Sequence, residues 1–385
     1  MEQHITMTHR LASDYSRRIL VAVCGLSPQI VTETLYGLTV NSANPFMPTD
    51  ICLITTREGR HRARLSLLHQ QDGYFHRLCR DYGLKNIRFN EESIHIIRNC
   101  HGDELSDIRS ESDNEAAADT IIRLIRHYTN DDDAAIHASI AGGRKTMGYY
   151  LGYAMSIFGR DQDCLSHVLV AEHYENHPDF FYPTRESRVI HTRENRPLDT
   201  RDADVILADI PFLRMREDIP QSLLIGETGF SETVKRTTLF QKEQPRLTIT
   251  PEFQLLAGSE MLNLQPSNLA FYLWLLSRSV QDESPITRPH DIDPNREYSQ
   301  QFLNIYRQVR GVMASIDRTE NALLHGMGEG FCSEWVTRIN KEIDSQLGKR
   351  GALPYRIHSG PRGTRQYSIE LSSAAVVGLE RLDLG

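Results

Sequence analysis

The first half of the chain alternates short apolar runs with stretches whose apolar residues recur at helical spacing. Continuous apolar runs, which are typical of buried strands, occupy residues 19–24, 51–55, 94–97, 134–140 and 165–170. Helices are expected in the stretches between them, at 30–40, 60–82, 114–128 and 146–158. Strands that alternate with helices predict an α/β fold, here a Rossmann-like, mostly parallel sheet with helices on both faces. A last apolar stretch within 204–216 predicts an edge strand or a closing element.

The periodicity weakens after this alternating region. Residues 217–245 predict a linker that can carry a helix. The 385 residues also exceed the usual size of one compact domain. We therefore expect two domains, a Rossmann-like domain at 1–216 and a second domain at 246–385.

The second domain follows a different pattern. Short strands are expected between 247 and 256, and a strongly apolar helix at 268–279. Near the end, a helix at 332–347 precedes two alternating strands at 355–358 and 366–369. A helix followed by a basic-tipped hairpin is the outline of a winged helix-turn-helix. The sequence therefore predicts a winged-helix-like C-terminal domain.

Charge is distributed unevenly along the chain. The net charge of −8 argues against non-specific nucleic-acid binding by the whole surface. The segment 332–366, however, holds seven cationic side chains against three carboxylates, which makes it a candidate DNA-binding face. The side chains expected to contact DNA are Arg338, Asn340, Lys341, Arg362 and Arg365. The alternative is a dimerisation or scaffold module whose basic residues contact nothing.

Several protein classes are disfavoured. No apolar run reaches the roughly 18 residues that cross a bilayer, and residues 1–10 lack the apolar stretch of a secretory signal. We therefore expect a cytoplasmic protein with no membrane contact. The six cysteines form no CxxC pair and no cluster with histidine, which argues against a disulfide framework and a structural zinc.

Two glycine-containing turns each connect a predicted strand to a predicted helix. The first has the sequence GLSPQ at 25–29, and the second has GGRKTM at 142–147. A helix N-terminus offers unpaired N–H groups and partial positive charge, glycine lets a ligand approach the backbone, and Arg144 and Lys145 add full charges. The two turns are therefore expected to hold an anion in one crevice at the carboxyl ends of the strands. Neither turn matches GxGxxG or GxxxxGK[ST], which disfavours nicotinamide cofactors and nucleoside triphosphates.

Together the two turns resemble the CRISPR-associated Rossmann-like (CARF) domain. The similarity covers residues 17–216 and is closest to the ring nucleases, which bind and degrade cyclic tetra-adenylate in type III CRISPR immunity. The resemblance implies a homodimer in which each subunit contributes both turns to one cleft. It also implies a reaction without metal or cofactor, in which a ribose 2′-hydroxyl attacks the adjacent phosphate and leaves a 2′,3′-cyclic phosphate. Such an enzyme switches off antiviral signalling.

The resemblance assigns roles to residues of both turns. It implies that Lys145 stabilises the transition state and that Ser27 orients the 2′-hydroxyl or the phosphate. The other residues expected to bind the ring are Gly25, Leu26, Gln29, Gly142, Gly143, Arg144, Thr146 and Met147. The alternative for Ser27 is a plain helix N-cap ahead of a proline. His137 and His167 lie in apolar strands and are expected to be core histidines.

Two further functions are compatible with the second domain. A winged helix would make the protein a DNA-binding transcriptional regulator that responds to a cyclic oligoadenylate. Many CARF proteins instead carry a ribonuclease domain marked by an arginine with a histidine a few residues later, and Arg318 and His325 fit that spacing. A ligand-activated ribonuclease is therefore the third interpretation. The fold alone does not decide among these functions.

Overall fold

The chain divides into two compact units. The structure, a computed structural model, describes residues 12–70, 72–175, 177–226, 229–232, 234–235, 244–281, 285–311, 317–360 and 366–382. The first unit comprises Met1–Arg216 and Glu227–Glu232. The second comprises Glu217–Gly226 and Thr233–Gly385.

The first unit is an α/β sandwich of strands and helices. Its strands are β1 Arg17–Val23, β2 Asp50–Thr55, β3 Ile94–Ile96, β4 Ala134–Ser139, β5 Cys164–Val170, β6 Val189–His191, β7 Pro197–Asp199 and β8 Val205–Asp209. Its helices are α1 Gln29–Thr39, α2 Arg57–Ser66, α3 Tyr74–Tyr82, α4 Glu111–Thr129 and α5 Lys145–Phe158. The alternation predicted from the apolar runs is confirmed.

Six strands form the central sheet in the order β3-β2-β1-β4-β5-β8. The first five are parallel, and β8 runs antiparallel to β5 at the edge. From β1 the chain moves outward to β3 and then returns to β4 on the other side, so β1 and β4 flank the point where the strand order reverses. Ala22 pairs with Ser139, which brings the carboxyl ends of β1 and β4 side by side. Ligands of open α/β sheets bind at such a point.

Helices cover both faces of this sheet, as predicted. Helices α1 and α3 pack together, and their apolar side chains join Leu20 and Ala22 of β1 in one core. Helices α4 and α5 pack against each other and against β4. Side chains on both faces of β1 are buried. This explains why the strand is a continuous apolar run in the sequence.

Two details differ from the prediction. The helix expected over 60–82 is two helices, because the chain turns between Ser66 and Tyr74. Gly73 lies so close to Leu67 there that a β-carbon would be 2.0 Å from the Leu67 carbonyl oxygen. The β6–β7 hairpin was not predicted, since strands of three residues are too short to show a clear pattern.

The second unit contains small sheets and helices around a core that includes the fully buried Tyr272 and Trp274. Its strands are β9 Leu247–Ile249, β10 Leu255–Ala257, β11 Glu260–Leu262, β12 Ile286–Thr287, β13 Ile357–His358, β14 Gln366–Ile369 and β15 Val376–Val377. Its described helices are α6 Gln221–Ile225, α7 Pro266–Val280, α8 Arg296–Arg310, α9 Asp317–Ala322, α10 Glu329–Leu347 and α11 Lys349–Ala352. Among these, α8, α9 and α11 were not predicted.

The helix and the two strands expected near the end of the chain are present. Helix α10 precedes β13 and β14, which pair antiparallel with Ile357 opposite Ile369. Strand β12 adds a third strand beside β14. These elements agree with the predicted outline, and the winged-helix assignment itself stays a prediction. None of the helices in the described ranges is both long and apolar enough to cross a bilayer.

Candidate functional site

The turns that follow β1 and β4 contact each other. A β-carbon built on Gly25 would lie 3.4 Å from the Cα of Gly143, so the two backbones touch. At Gly142 a β-carbon would lie 2.8 Å from the Val23 carbonyl oxygen and 2.9 Å from Cγ1 of Ile30. Gly143 has φ +79°, a left-handed conformation that other residues adopt at a cost. The close approach of the two turns therefore depends on glycine.

Neighbouring elements hold the first turn in place. The Cys24 N–H donates to the Ile54 carbonyl at 2.9 Å, and the Thr55 hydroxyl donates to the Cys24 carbonyl at 2.7 Å. Gly59 of α2 also approaches, since a β-carbon there would lie 2.6 Å from the Gly25 carbonyl oxygen. Our sequence analysis missed Gly59, although a glycine in the first turn of a helix after a strand is a usable signal.

Helices α1 and α5 begin at these turns, and no side chain caps either of them. Pro28 occupies the N-cap position of α1, and Arg144 occupies that of α5. By contrast, Thr56 caps α2 and Ser110 caps α4. The first N–H groups of a helix have no intrahelical partner, so α1 and α5 present free donors and positive dipole ends at one edge of the sheet. Such an edge is suited to an anion.

The two predicted catalytic side chains are exposed and unpaired within the described part of the chain. The Ser27 hydroxyl makes no capping hydrogen bond to α1, so the alternative that Ser27 is a plain N-cap is wrong. Lys145 is the first residue of α5, and its ammonium forms no ion pair with any described residue. A cation at this end of a helix opposes the dipole, and a bound anion would offset that repulsion.

Ser27 and Lys145 line two depressions that meet at Ala141. The first, the Lys145 groove, has a volume of about 600 Å³ and includes the second glycine turn, Gly148, Tyr149, Gly152 and Tyr153. The second, the Ser27 hollow, has a volume of about 110 Å³ and includes Gln29, Ile30, Glu33, His167, Val168, Val170 and Glu175. The sequence predicted one crevice, whereas the single chain has two adjoining ones at the same edge.

Arg144, predicted to bind phosphate, is paired with Asp107. Its Nε and Nη2 donate to the two carboxylate oxygens of Asp107 at 3.3 and 2.5 Å. The hydrogen bond from Arg144 is the main cause that lowers the pKa of Asp107 below its usual value. Arg109 also donates to this carboxylate, at 3.2 Å. Lys145 is thus the cation of the second turn that remains available to a ligand.

The other predicted ligand-binding residues lie at different depths. Leu26 is 52% exposed, and Thr146 is exposed as well, so both lie on the surface of the turns. Met147 is only 1% exposed, and its sulfur would be 2.9 Å from a β-carbon on Gly143. Met147 therefore supports the turn from within the core. Gln29 lines the Ser27 hollow, and its Oε1 is buried with no hydrogen-bond partner among the described residues.

The two histidines of the strands differ. His137 is a core histidine, as expected, because it is 5% exposed and its Nε2 lies 2.7 Å from the Ser166 hydroxyl. Burial lowers the pKa of His137 to about 4. His167 is half-buried and lines the Ser27 hollow, and its buried Nδ1 has no partner in the part of the chain that the structure describes.

Glu33 is a buried carboxyl group that our sequence analysis did not select. It is 6% exposed and lines the Ser27 hollow. Burial, with a smaller contribution from the Glu175 carboxylate, raises the pKa of Glu33 to about 8. The available signal was a glutamate within the apolar periodicity of α1, where a charged residue is unusual.

In the second unit, two of the residues predicted to contact DNA are bonded to other residues of the same unit. Arg338 pairs with Glu334 one helical turn earlier. The Asn340 side chain accepts from the Ile357 N–H at 2.8 Å and donates to the Ile357 carbonyl at 2.9 Å. Both polar atoms of the Asn340 side chain therefore bond to Ile357 of β13, and we withdraw Asn340 as a DNA-contacting residue.

The remaining residues predicted for the second domain are exposed or undescribed. Lys341 is exposed on α10. Arg362 and Arg365 lie outside the described residues. Arg318 on α9 and His325 beyond it are both exposed, so the ribonuclease interpretation also stays a prediction.

Comparison with known proteins adds a family match. The family model described as CRISPR-associated protein NE0113 matches residues 27–244, more than half of the chain. No curated protein sequence matches the chain. Among solved structures, Enterococcus italicus Csm6 bound to cyclic hexa-2′-fluoro-hexa-dAMP is similar over 40% of this chain and 34% of that chain, with 14% identity and a TM-score of 0.27. The similarity thus spans about a third of that protein's length.

Proposed function

The chain belongs to the CRISPR-associated protein NE0113 family, and on that premise we propose that it is a ring nuclease that binds and cleaves cyclic tetra-adenylate. The observation that carries the proposal is the contact between the two glycine turns, where a β-carbon on Gly25 would lie 3.4 Å from Gly143. These turns are the motifs that resemble the CARF ring nucleases. Cleavage of the ring would end an antiviral signal.

The polarity of the site supports a phosphodiester ligand. Two helix N-termini without a side-chain cap lie at one edge of the sheet, together with the Lys145 ammonium and the Ser27 hydroxyl, which have no partner among the described residues. Each linkage of a cyclic oligonucleotide carries one negative charge. One ring can therefore place a phosphate group at each of the two helix N-termini. Backbone N–H groups and a lysine are common phosphate ligands in proteins.

In the proposed reaction a ribose 2′-hydroxyl attacks its adjacent phosphate. The bond between O2′ and phosphorus forms as the bond between phosphorus and O5′ breaks. The 2′-hydroxyl proton passes to solvent, and the departing 5′-oxygen takes up a proton. The product ends in a 2′,3′-cyclic phosphate, and the step balances without an added water molecule. Lys145 would stabilise the charge that develops on the phosphate oxygens, and Ser27 would orient the reacting group.

A homodimer would fit this ligand. A ring of four identical nucleotides presents equivalent halves, and an isologous dimer presents equivalent turns from two chains. Within one chain Ser27 and Lys145 line adjoining depressions. We therefore propose that the ring spans both depressions in each subunit.

Single-turnover cleavage of labelled cyclic tetra-adenylate in EDTA tests the proposal. Lys145→Ala should slow cleavage by roughly 100- to 1,000-fold, because a charge-stabilising donor is lost. Ser27→Ala should slow it by about tenfold, the effect of one hydrogen bond to a charged group.

Lys85→Ala is the matched control. Lys85 is exposed in the loop that leads into β3, near the amino ends of the strands, where Arg88 N–H bonds to the Thr49 carbonyl. Its removal should leave the rate unchanged. Ring that stays intact with the wild-type protein, or equal rates for Lys145→Ala and wild type, would refute the proposal.

A further inference from the structure

The Ser27 hollow contains three polar side chains whose atoms lack partners among the described residues. Oε1 of Gln29 and Nδ1 of His167 are buried without a hydrogen bond. Glu33 is 6% exposed, and neither carboxyl oxygen bonds to a described residue. Buried polar groups in folded proteins are nearly always paired. The two enclosed atoms and the Glu33 carboxyl group belong to side chains that line one hollow, which indicates that a polar ligand completes the hydrogen bonding there.

The lining of the hollow suits a ligand with apolar faces and a polar edge. Ile30, Val168 and Val170 provide apolar surface, while Gln29, Glu33 and His167 provide the polar groups. Its volume of about 110 Å³ is several times the roughly 30 Å³ that one water molecule occupies. Within the described residues, no group of three or more His, Cys, Asp or Glu side chains is arranged to hold a metal ion. A nucleobase has the required combination of apolar faces and a hydrogen-bonding edge.

Glu33 is predominantly protonated at neutral pH, because burial raises its pKa to about 8. A neutral carboxyl group presents one O–H donor beside one carbonyl acceptor. Adenine presents the complementary pair, the N6 amino donor beside the N1 or N7 acceptor. An ionised carboxylate has only acceptors and would be repelled by those ring nitrogens.

We propose that the Ser27 hollow binds an adenine base, which Glu33 contacts with both carboxyl oxygens and whose second N6 hydrogen bonds to Gln29 Oε1. This inference rests on the proposed function and adds the residues that select the base. Hypoxanthine carries an oxygen at position 6, which would face the oxygen of Gln29. The hollow should therefore prefer adenine over hypoxanthine. His167 lines the same hollow.

The test measures binding of cyclic tetra-adenylate, and of the same ring with hypoxanthine bases, to the full chain. Glu33→Met keeps the length of the side chain but removes its hydrogen bonds, and should weaken binding of the adenine ring by roughly 10- to 100-fold. It should weaken binding of the hypoxanthine ring as well, because the preference between the two bases rests on the Gln29 oxygen. Glu33→Gln retains one donor and one acceptor and should keep affinity within about threefold. Lys145→Ala should weaken both rings equally.

The outcomes separate this inference from the proposed function. Equal binding of the adenine ring by wild type and Glu33→Met would overturn the base site and leave the ring nuclease standing. Thermal unfolding confirms that each variant is folded. A parallel titration uses adenosine and inosine 5′-monophosphates. Glu33-dependent binding of the adenosine nucleotide without ring binding would support the base site and overturn the proposed function. No binding of either nucleotide or ring would overturn both.

Discussion

The edge of the sheet at the glycine turns carries residues predicted to bind a cyclic oligonucleotide, and the exposed face of α10 carries residues predicted to contact DNA, but the fold leaves different polar groups available at each. At the turns, Lys145 and Ser27 have no partner in the described chain. On α10, Arg338 is paired with Glu334, and Asn340 is bonded to Ile357. A count of cationic side chains therefore overestimates how many polar groups the face of α10 offers to a ligand. The glycine turns and the face of α10 differ in which polar groups remain free of partners within the described chain.

Sequence distance explains part of this difference. Glu334 lies four residues before Arg338 on one helix, which is the spacing that places side chains together. The second glycine turn contains no acidic residue, so a partner has to come from elsewhere in the chain. Asp107 supplies one carboxylate, which pairs with Arg144 and leaves Lys145 unpaired.

The largest expected effect concerns Glu33, the most deeply buried of the unpaired groups at the turns. Its pKa is raised from 4.5 to about 8 in the folded state, so the folded chain retains a proton that the unfolded chain releases. Below about pH 4.5 both states are protonated, and stability is fully present. As pH rises to about 8, the free energy of unfolding should fall by up to about 5 kcal/mol. Glu33→Gln should remove this loss.

Urea unfolding of wild type and Glu33→Gln between about pH 5 and pH 8 measures the effect. The difference in free energy of unfolding should grow with pH in favour of the variant. His167 and Glu175, which line the hollow together with Glu33, are present in both proteins, so their contributions cancel in the comparison. Glu172→Gln, at an exposed neighbouring position, is the control and should show no such trend. A constant difference across the range would show that Glu33 ionises normally.

Two glycine-to-alanine substitutions, one at the contact between the turns and one away from it, test this contact. Gly142→Ala would force a β-carbon against the Val23 carbonyl, so it should destabilise the protein by about 1–3 kcal/mol and displace the start of α5. Gly152→Ala places its β-carbon 3.7 Å from Leu165, an ordinary contact, and should stabilise α5 by about 0.5–1 kcal/mol. Thermal unfolding compares the two variants. Equal behaviour would contradict the close approach at Gly142.

Releasing Arg144 should make the turns more cationic. Asp107→Asn removes the carboxylate that pairs with Arg144, so the affinity for cyclic tetra-adenylate should rise about two- to fivefold at low salt. The gain should shrink as salt increases, since exposed charges are screened. Asp50→Asn is the control, because it releases Arg88 at the amino end of β2. An unchanged affinity for Asp107→Asn would mean that Arg144 does not reach the ring.

The smallest effect is expected on α10. Lys341→Ala removes an exposed cation that has no partner among the described residues, and it should change stability by less than about 0.5 kcal/mol and leave ring cleavage unchanged. A gel shift on promoter DNA, with and without the ring, gives the decisive comparison. Weaker DNA binding by Lys341→Ala, with a reduced salt dependence, would show that the second surface is functional too.

Much of the first unit could be predicted from the sequence. Strands and helices follow from local periodicity, and the order of the elements implied that the turns at 25–29 and 142–147 would leave the sheet at its carboxyl edge. The confirmed elements include β8 at the edge of the sheet. The missed ones, such as the break before α3 and the β6–β7 hairpin, depend on close packing or on very short strands.

The amino-acid sequence alone established the alternation of strands and helices, the glycines of the turns and the cations beside them, because these are local features of composition and spacing. Tertiary structure decided that Gly25 touches Gly143, that Asp107 neutralises Arg144, and that Glu33 is buried in a hollow with His167. Each of these depends on distances between residues far apart in the chain. A hydrogen bond, an ion pair or a shifted pKa is set by such distances, and no local pattern records them.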